Sequence, residues 1–125
     1  MPTNVCVPFF KPGQDVTGYL TTNVGGKTCV ATTGTLSRGG QPRITTAAPG
    51  AAIFGVLGHD GVTGEYIHVN VGGIVPILTA ADVTTGTEVQ VGAGGAVIPL
   101  AAGRPVGYVV AGAASGNAAA VKLYG

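Results

Sequence analysis

Two histidines, five carboxylates, two serines and two cysteines are the groups in this 125-residue chain that could move a proton, attack a carbonyl or hold a metal. His59 and Asp60 open the run HDGVTG, and Glu65 follows it. Imidazole and carboxylate together suit several divalent cations. A polar turn tip uses the same residue types with no ligand, because Asp and Gly fit turn geometry. No metal is therefore assigned. A Ser-His-Asp relay would need Ser37 or Ser115 carried to His59, and neither serine stands in a GxSxG elbow. Asp15, Asp60, Glu65, Asp82 and Glu88 could in principle supply an acid and a base of the glycosidase kind. They are spread along the chain, mostly beside glycines or at turns. Cys6 and Cys29 lack CxxC spacing and are too few for a thiol zinc site or a disulfide framework. Two free thiols are the reading for a reducing compartment, with one bridge as the alternative.

The remaining candidates are binding groups. GAGGAV lacks the Lys-Ser/Thr of a phosphate loop, and no GxGxxG precedes a helical pattern. Tyr19, Tyr66, Tyr108 and Tyr124 could stack on a sugar or a single-stranded nucleic acid, but the chain has no Trp and no basic cluster beside them. The six basic residues are scattered and the net charge is +1, so no face is built to neutralise phosphates. The expectation is a non-enzyme with no catalytic residue, cofactor, metal, small-molecule substrate or nucleic-acid partner.

What must position these groups is a β structure. The chain holds 18 Val and 15 Thr, types that suit a pleated, half-buried surface, and 31 Gly and Pro to punctuate them. Hydrophobic residues make up 46% but aromatics only 6%, so the core is thin and built from small side chains. Segments 15–22 and 27–33 flank Asn23-Val24-Gly25-Gly26, which predicts a hairpin. A loop at 37–42 leads into a short strand near 43–46. Segments 53–58 and 65–71 flank HDGVTG with a turn at Asp60-Gly61, which places His59 near Glu65 and His68 opposite Val56. From Tyr66 to Val71 the side chains alternate, with Ile67, Val69 and Val71 on one face. Gly72-Gly73 then predicts a two-residue turn with positive φ, closing a hairpin with 74–79. VQVGAGGAVIPL at 89–100 echoes VNVGGIVPIL at 69–78, which predicts a second, similar hairpin. Pro76 and Pro99 cannot donate to a ladder and belong at edges or bulges. Segments 104–111 and 118–124 make a closing pair, and 80–83 can form one helical turn. No apolar run approaches the roughly 20 residues of a membrane-spanning helix. The first residues lack the pattern of a signal peptide, so synthesis in the cytoplasm is expected.

Residues 1–14 differ from the rest. Pro2, Pro8 and Pro12 bias them toward extended structure, and Val5, Val7, Phe9 and Phe10 lie between. This arm is either a first strand folded on its own domain or a lead docking on a neighbouring subunit or larger assembly. Val7, Phe9 and Phe10 are the candidate contacts. Residues 15–125 form one domain, expected to be an all-β antiparallel sandwich or barrel with short hairpins.

From Thr45 onward the chain resembles the small capsid decoration, or cement, proteins of tailed bacteriophages. The resemblance rests on Phe54-Gly55-Val56, Asp60, Gly72-Gly73-Ile74-Val75-Pro76, Gly103-Arg104-Pro105-Val106-Gly107 and Val121-Lys122-Leu123. It implies a β-sandwich or barrel, often a homotrimer, that binds the major capsid protein on the outer surface of the virion and braces the shell. The family carries no catalytic residues. The alternative function is a non-catalytic β module that binds carbohydrate or serves in tail or surface attachment.

Overall fold

Short runs of Val, Ile and Thr between glycines favour short strands, and the computed structural model, which describes residues 16–124, forms ten of them. The first five are β1 (Val16–Leu20), β2 (Cys29–Leu36), β3 (Pro42–Thr46), β4 (Gly55–Leu57) and β5 (Tyr66–Asn70). They close into a barrel in the order β1-β3-β2-β4-β5. The second five are β6 (Ile74–Leu78), β7 (Glu88–Val91), β8 (Val97–Pro99), β9 (Gly107–Ala111) and β10 (Ala118–Leu123). They form an open sheet in the order β6-β10-β9-β7-β8. A single 3-10 turn at Ala93–Gly95 is the one helical element among the described residues. The all-β expectation holds. β1 and β3 run parallel, and the other strand pairs are antiparallel.

Two hydrophobic clusters hold the chain together. Leu20, Val24, Val30, Ile44, Leu57, Ile67 and Val69 fill the barrel. A five-stranded barrel has little room, and Ile44 crosses it over Gly18, where a β-carbon would come within 2.6 Å of Ile44 Cδ1. The second cluster lies between the barrel wall, which contributes Cys29, Ala47 and Val56, and the sheet. The sheet contributes Val75, Ile77, Val89, Val91, Val97, Val109, Val121 and others. Alternation along β2 and β4 makes this possible: Cys29 and Val56 face the sheet while Val30 and Leu57 face the barrel. Each fully buried Val or Ile contributes about 1.5–3 kcal/mol relative to exposure, so many small side chains stand in for a few large ones.

Several pairings differ from the sequence reading. β1 and β2 do not pair with each other; β1 lies between β3 and β5. The 23–26 segment is a crossing loop, with Val24 buried and bridged to Gly61. The Gly72-Gly73 turn does not close a hairpin. It carries the chain from β5 in the barrel to β6, which pairs with β10 in the other sheet. Gly73 does take positive φ, at 81°. The expected helical turn at 80–83 is a bend with Val83 bridged to Ala113. The β4–β5, β7–β8 and β9–β10 pairs form as read. Among the described residues, both prolines lie on edge strands. Leu100 N donates to Glu88 O, so Pro99 directs its missing donor away from β7. Thr79 N donates to Asn117 O, which sets the same phase in β6 and points Pro76 away from β10.

Candidate docking surface

The groups that looked capable of chemistry serve as turn and loop supports. Asp60 Oδ1 accepts from Gly26 N at 2.7 Å, and Glu65 Oε1 accepts from Val62 N at 2.7 Å. His59 Nδ1 lies 2.8 Å from Asp60 O. His68 falls opposite Gly58 and not Val56, two residues from the sequence placement, with Gly58 N donating to His68 O. Its ring meets that of His59 edge-on at a centroid distance of 5.8 Å. Ser37 Oγ bonds Gln41 Oε1 at 2.8 Å and closes the 37–41 turn, while Ser115 N donates to Asp82 Oδ1. Among the described residues no three His, Cys, Asp or Glu side chains come together to hold a metal ion. Cys29 is fully buried, and desolvation pushes its thiol up to about 12.

The four tyrosines divide into two pairs. Register sets Tyr19 between Arg43 and Tyr66 on the barrel surface. The two rings meet edge-on at 5.1 Å, and the Arg43 guanidinium stands 5.9 Å from the Tyr19 ring. In the second sheet, Tyr108 and Tyr124 stand 6.3 Å apart, with Lys122 Nζ 6.0 Å from the Tyr108 ring. The Tyr124 phenol is raised above its ordinary value, first by partial desolvation and then by the Glu88 carboxylate.

The second pair belongs to a broader surface: the face of the second sheet turned away from the barrel. Register lines up Ile74, Lys122, Tyr108 and Glu88 across β6, β10, β9 and β7. With strands about 4.8 Å apart, this row spans roughly 14 Å. Beside it lie Pro76 and Ala120, paired in register, and Val110, the extra residue where the β9–β10 register slips. Ile74 is 60% exposed, Tyr124 49% and Val110 38%. β6 reads IVPIL with no polar member, the pattern of a strand covered on both faces, yet only the face bearing Val75 and Ile77 is buried. Lys122 and Glu88 sit within the patch and keep it neutral.

The sequence reading missed this face. The absence of any polar residue in IVPIL was the available signal. Val7, Phe9 and Phe10, the contacts that reading chose, lie outside the described residues.

No protein-family model matches the chain, and no curated protein matches it. Among solved structures, the chain is similar to the N base of the head fiber gp8.5 in bacteriophage phi29. The TM-score is 0.73 at 19% identity, and the match covers 88% of this chain and 92% of that one. At that identity the likeness shows a shared fold.

Proposed function

We propose that this protein is a structural component of a bacteriophage virion that binds the outer surface of an icosahedral head and stabilises it by bridging capsid subunits. The observation that carries the reading is the likeness to a phage head fiber base over nearly the whole of both chains. The apolar, near-neutral outer face of the second sheet supports it, because an uncovered apolar patch on a domain this small marks an interaction surface. The major capsid protein is the partner in this reading, the subunit works as a homotrimer, and Val7, Phe9 and Phe10 contribute contacts to the head or to a neighbouring subunit. Stabilisation follows from mass action: a protein that binds the assembled shell and not its dissociated parts shifts the balance toward the shell. The residue inventory supports a role without catalysis, since the side chains of His59, Ser37, Asp60, Glu65 and Asp82 are engaged in turns and loops.

Co-sedimentation of the purified protein with DNA-filled heads lacking it, followed by a high-salt wash, tests the reading. Retention at a fixed ratio to the major capsid protein is expected. Complete loss to the supernatant, with folded input, overturns it. The carbohydrate-binding alternative would then lead, with the Arg43–Tyr19–Tyr66 row as the surface to probe on a glycan array.

A further inference from the structure

We propose that the outer face of the second sheet binds a second copy of this chain, about a two-fold axis that runs along β9 through Tyr108. The support is the order of residues in one row. Register places Ile74, Lys122, Tyr108 and Glu88 side by side on β6, β10, β9 and β7. Leu100 N donates to Glu88 O, one step beyond the Val89–Pro99 pair, so the row continues onto Leu100 at the end of β8. Paired residues share a face of the sheet, and five strands make the row about 19 Å long. It reads apolar, cation, tyrosine, anion, apolar. Ile74 is 60% exposed and Leu100 38%, and Lys122 and Glu88 between them are exposed as well.

Half a turn about the central strand reverses such a row and lays it on itself. Lys122 then meets the partner's Glu88, Ile74 meets the partner's Leu100, and Tyr108 meets the partner's Tyr108. A two-fold contact repeats every pair, so each cation faces an anion on both sides of the axis. The other in-plane axis, along the row, would set Lys122 on the partner's Lys122 and Glu88 on the partner's Glu88. Like charges placed opposite one another repel, so the charges select the axis along β9. Inside one chain Tyr108 stands between Lys122 and Glu88, and the two charges do not face each other directly. Tyr124 hydrogen-bonds Glu88, and a carboxylate keeps further acceptor sites for the partner's ammonium.

The same axis suits sheet packing. It aligns the strands of the two copies, as in sandwiches whose sheets lie within about 30° of each other. Val110, 38% exposed and two residues from Tyr108 on β9, lies along it. A face five strands wide falls in the weak class, below about 1,200 Å² in total, so the dissociation constant is expected between about 10 µM and 1 mM. The inference does not rest on the virion reading. In a homotrimer, whose contacts are heterologous, the two-fold contact would join copies of neighbouring trimers, and a shared shell would raise their effective concentration.

Sedimentation equilibrium of the full chain, with charge variants, tests the contact. The weight-average mass is expected to rise with concentration toward twice its value at dilution. Lys122→Glu sets two carboxylates against the partner's Glu88 and its own Glu88 against the partner's carboxylate. Glu88→Lys does the converse with ammonium groups. Each variant alone should weaken the association about tenfold or more. An equimolar mixture of the two should restore it, because every cation again meets an anion across the axis. Circular dichroism confirms that both variants are folded, and recovery in the mixture excludes misfolding as the cause of the loss. A mass that stays constant from about 1 µM to 1 mM, beyond the range expected of a weak interface, overturns the proposal. So does a single variant that associates like the parent, or a mixture no heavier than its separate components. Failure to co-sediment with heads would leave all these masses unaffected.

Discussion

Cys29 shows how position decides the chemistry of a side chain. Its neighbours in the cluster between barrel and sheet are almost all Val, Ile, Leu and Ala, and no polar contact compensates a thiolate there. In the native protein Cys29 is therefore expected to resist iodoacetamide at pH 8 and to react once unfolded, read by mass spectrometry of its own peptide. The same burial ties stability to pH. The folded pKa is about 12, against an ordinary 9.0, so the unfolded chain releases its proton first as pH rises. Stability from this group is complete below pH 9 and falls between 9 and 12, by up to about 1.4 kcal/mol per pH unit. Urea melts at pH 8 and pH 10.5 should show a steeper loss for the native chain than for Cys29→Ala. Equal losses would mean that the thiol ionises in place.

At the scale of strands, the second sheet depends on a close approach at Gly107. A β-carbon there would press on the carbonyl of Lys122 across the β9–β10 pair, and backbone cannot move aside as a flexible side chain can. Gly107→Ala should cost about 3 kcal/mol, at the upper end of overpacking effects. Gly72 is the control: nothing lies within 4 Å of its would-be β-carbon and its φ is not positive, so Gly72→Ala should fall within about 0.5 kcal/mol of the parent. Chemical denaturation of both variants checks the pair. These two glycines also show what the sequence could disclose. Period-two alternation located β5, and the apolar runs on either side of the AASGN loop located β9 and β10, because side-chain patterning is local. Gly72-Gly73 fits a hairpin and a crossing between sheets equally well in local terms, so the pairing of β6 with β10 lay beyond local reading. The exposed row at Ile74 and Tyr108 was hidden for the same reason, since it exists only once β6, β10, β9 and β7 lie side by side.

At the scale of the molecule, the central question is whether barrel and sheet unfold as one body. β2 and β4 supply residues to both clusters: Cys29 and Val56 to one, Val30 and Leu57 to the other. Neither cluster can be lost without freeing a strand that the other needs. Leu78 N also donates to Lys27 O and Gly50 N to Val91 O, which ties the second sheet to loops of the first. Under the proposed function this coupling would serve the subunit, because strain at an outer face bound to a partner would spread through both cores instead of opening one sheet. Ile44→Ala empties part of the barrel and Ile77→Ala part of the inter-sheet cluster; both side chains are fully buried. Each should cost about 2–5 kcal/mol, and each should move one common transition seen alike by tyrosine fluorescence and far-ultraviolet circular dichroism. Two separated transitions, with only one shifted by each substitution, would show that barrel and sheet are independent and that the shared strands do not couple them.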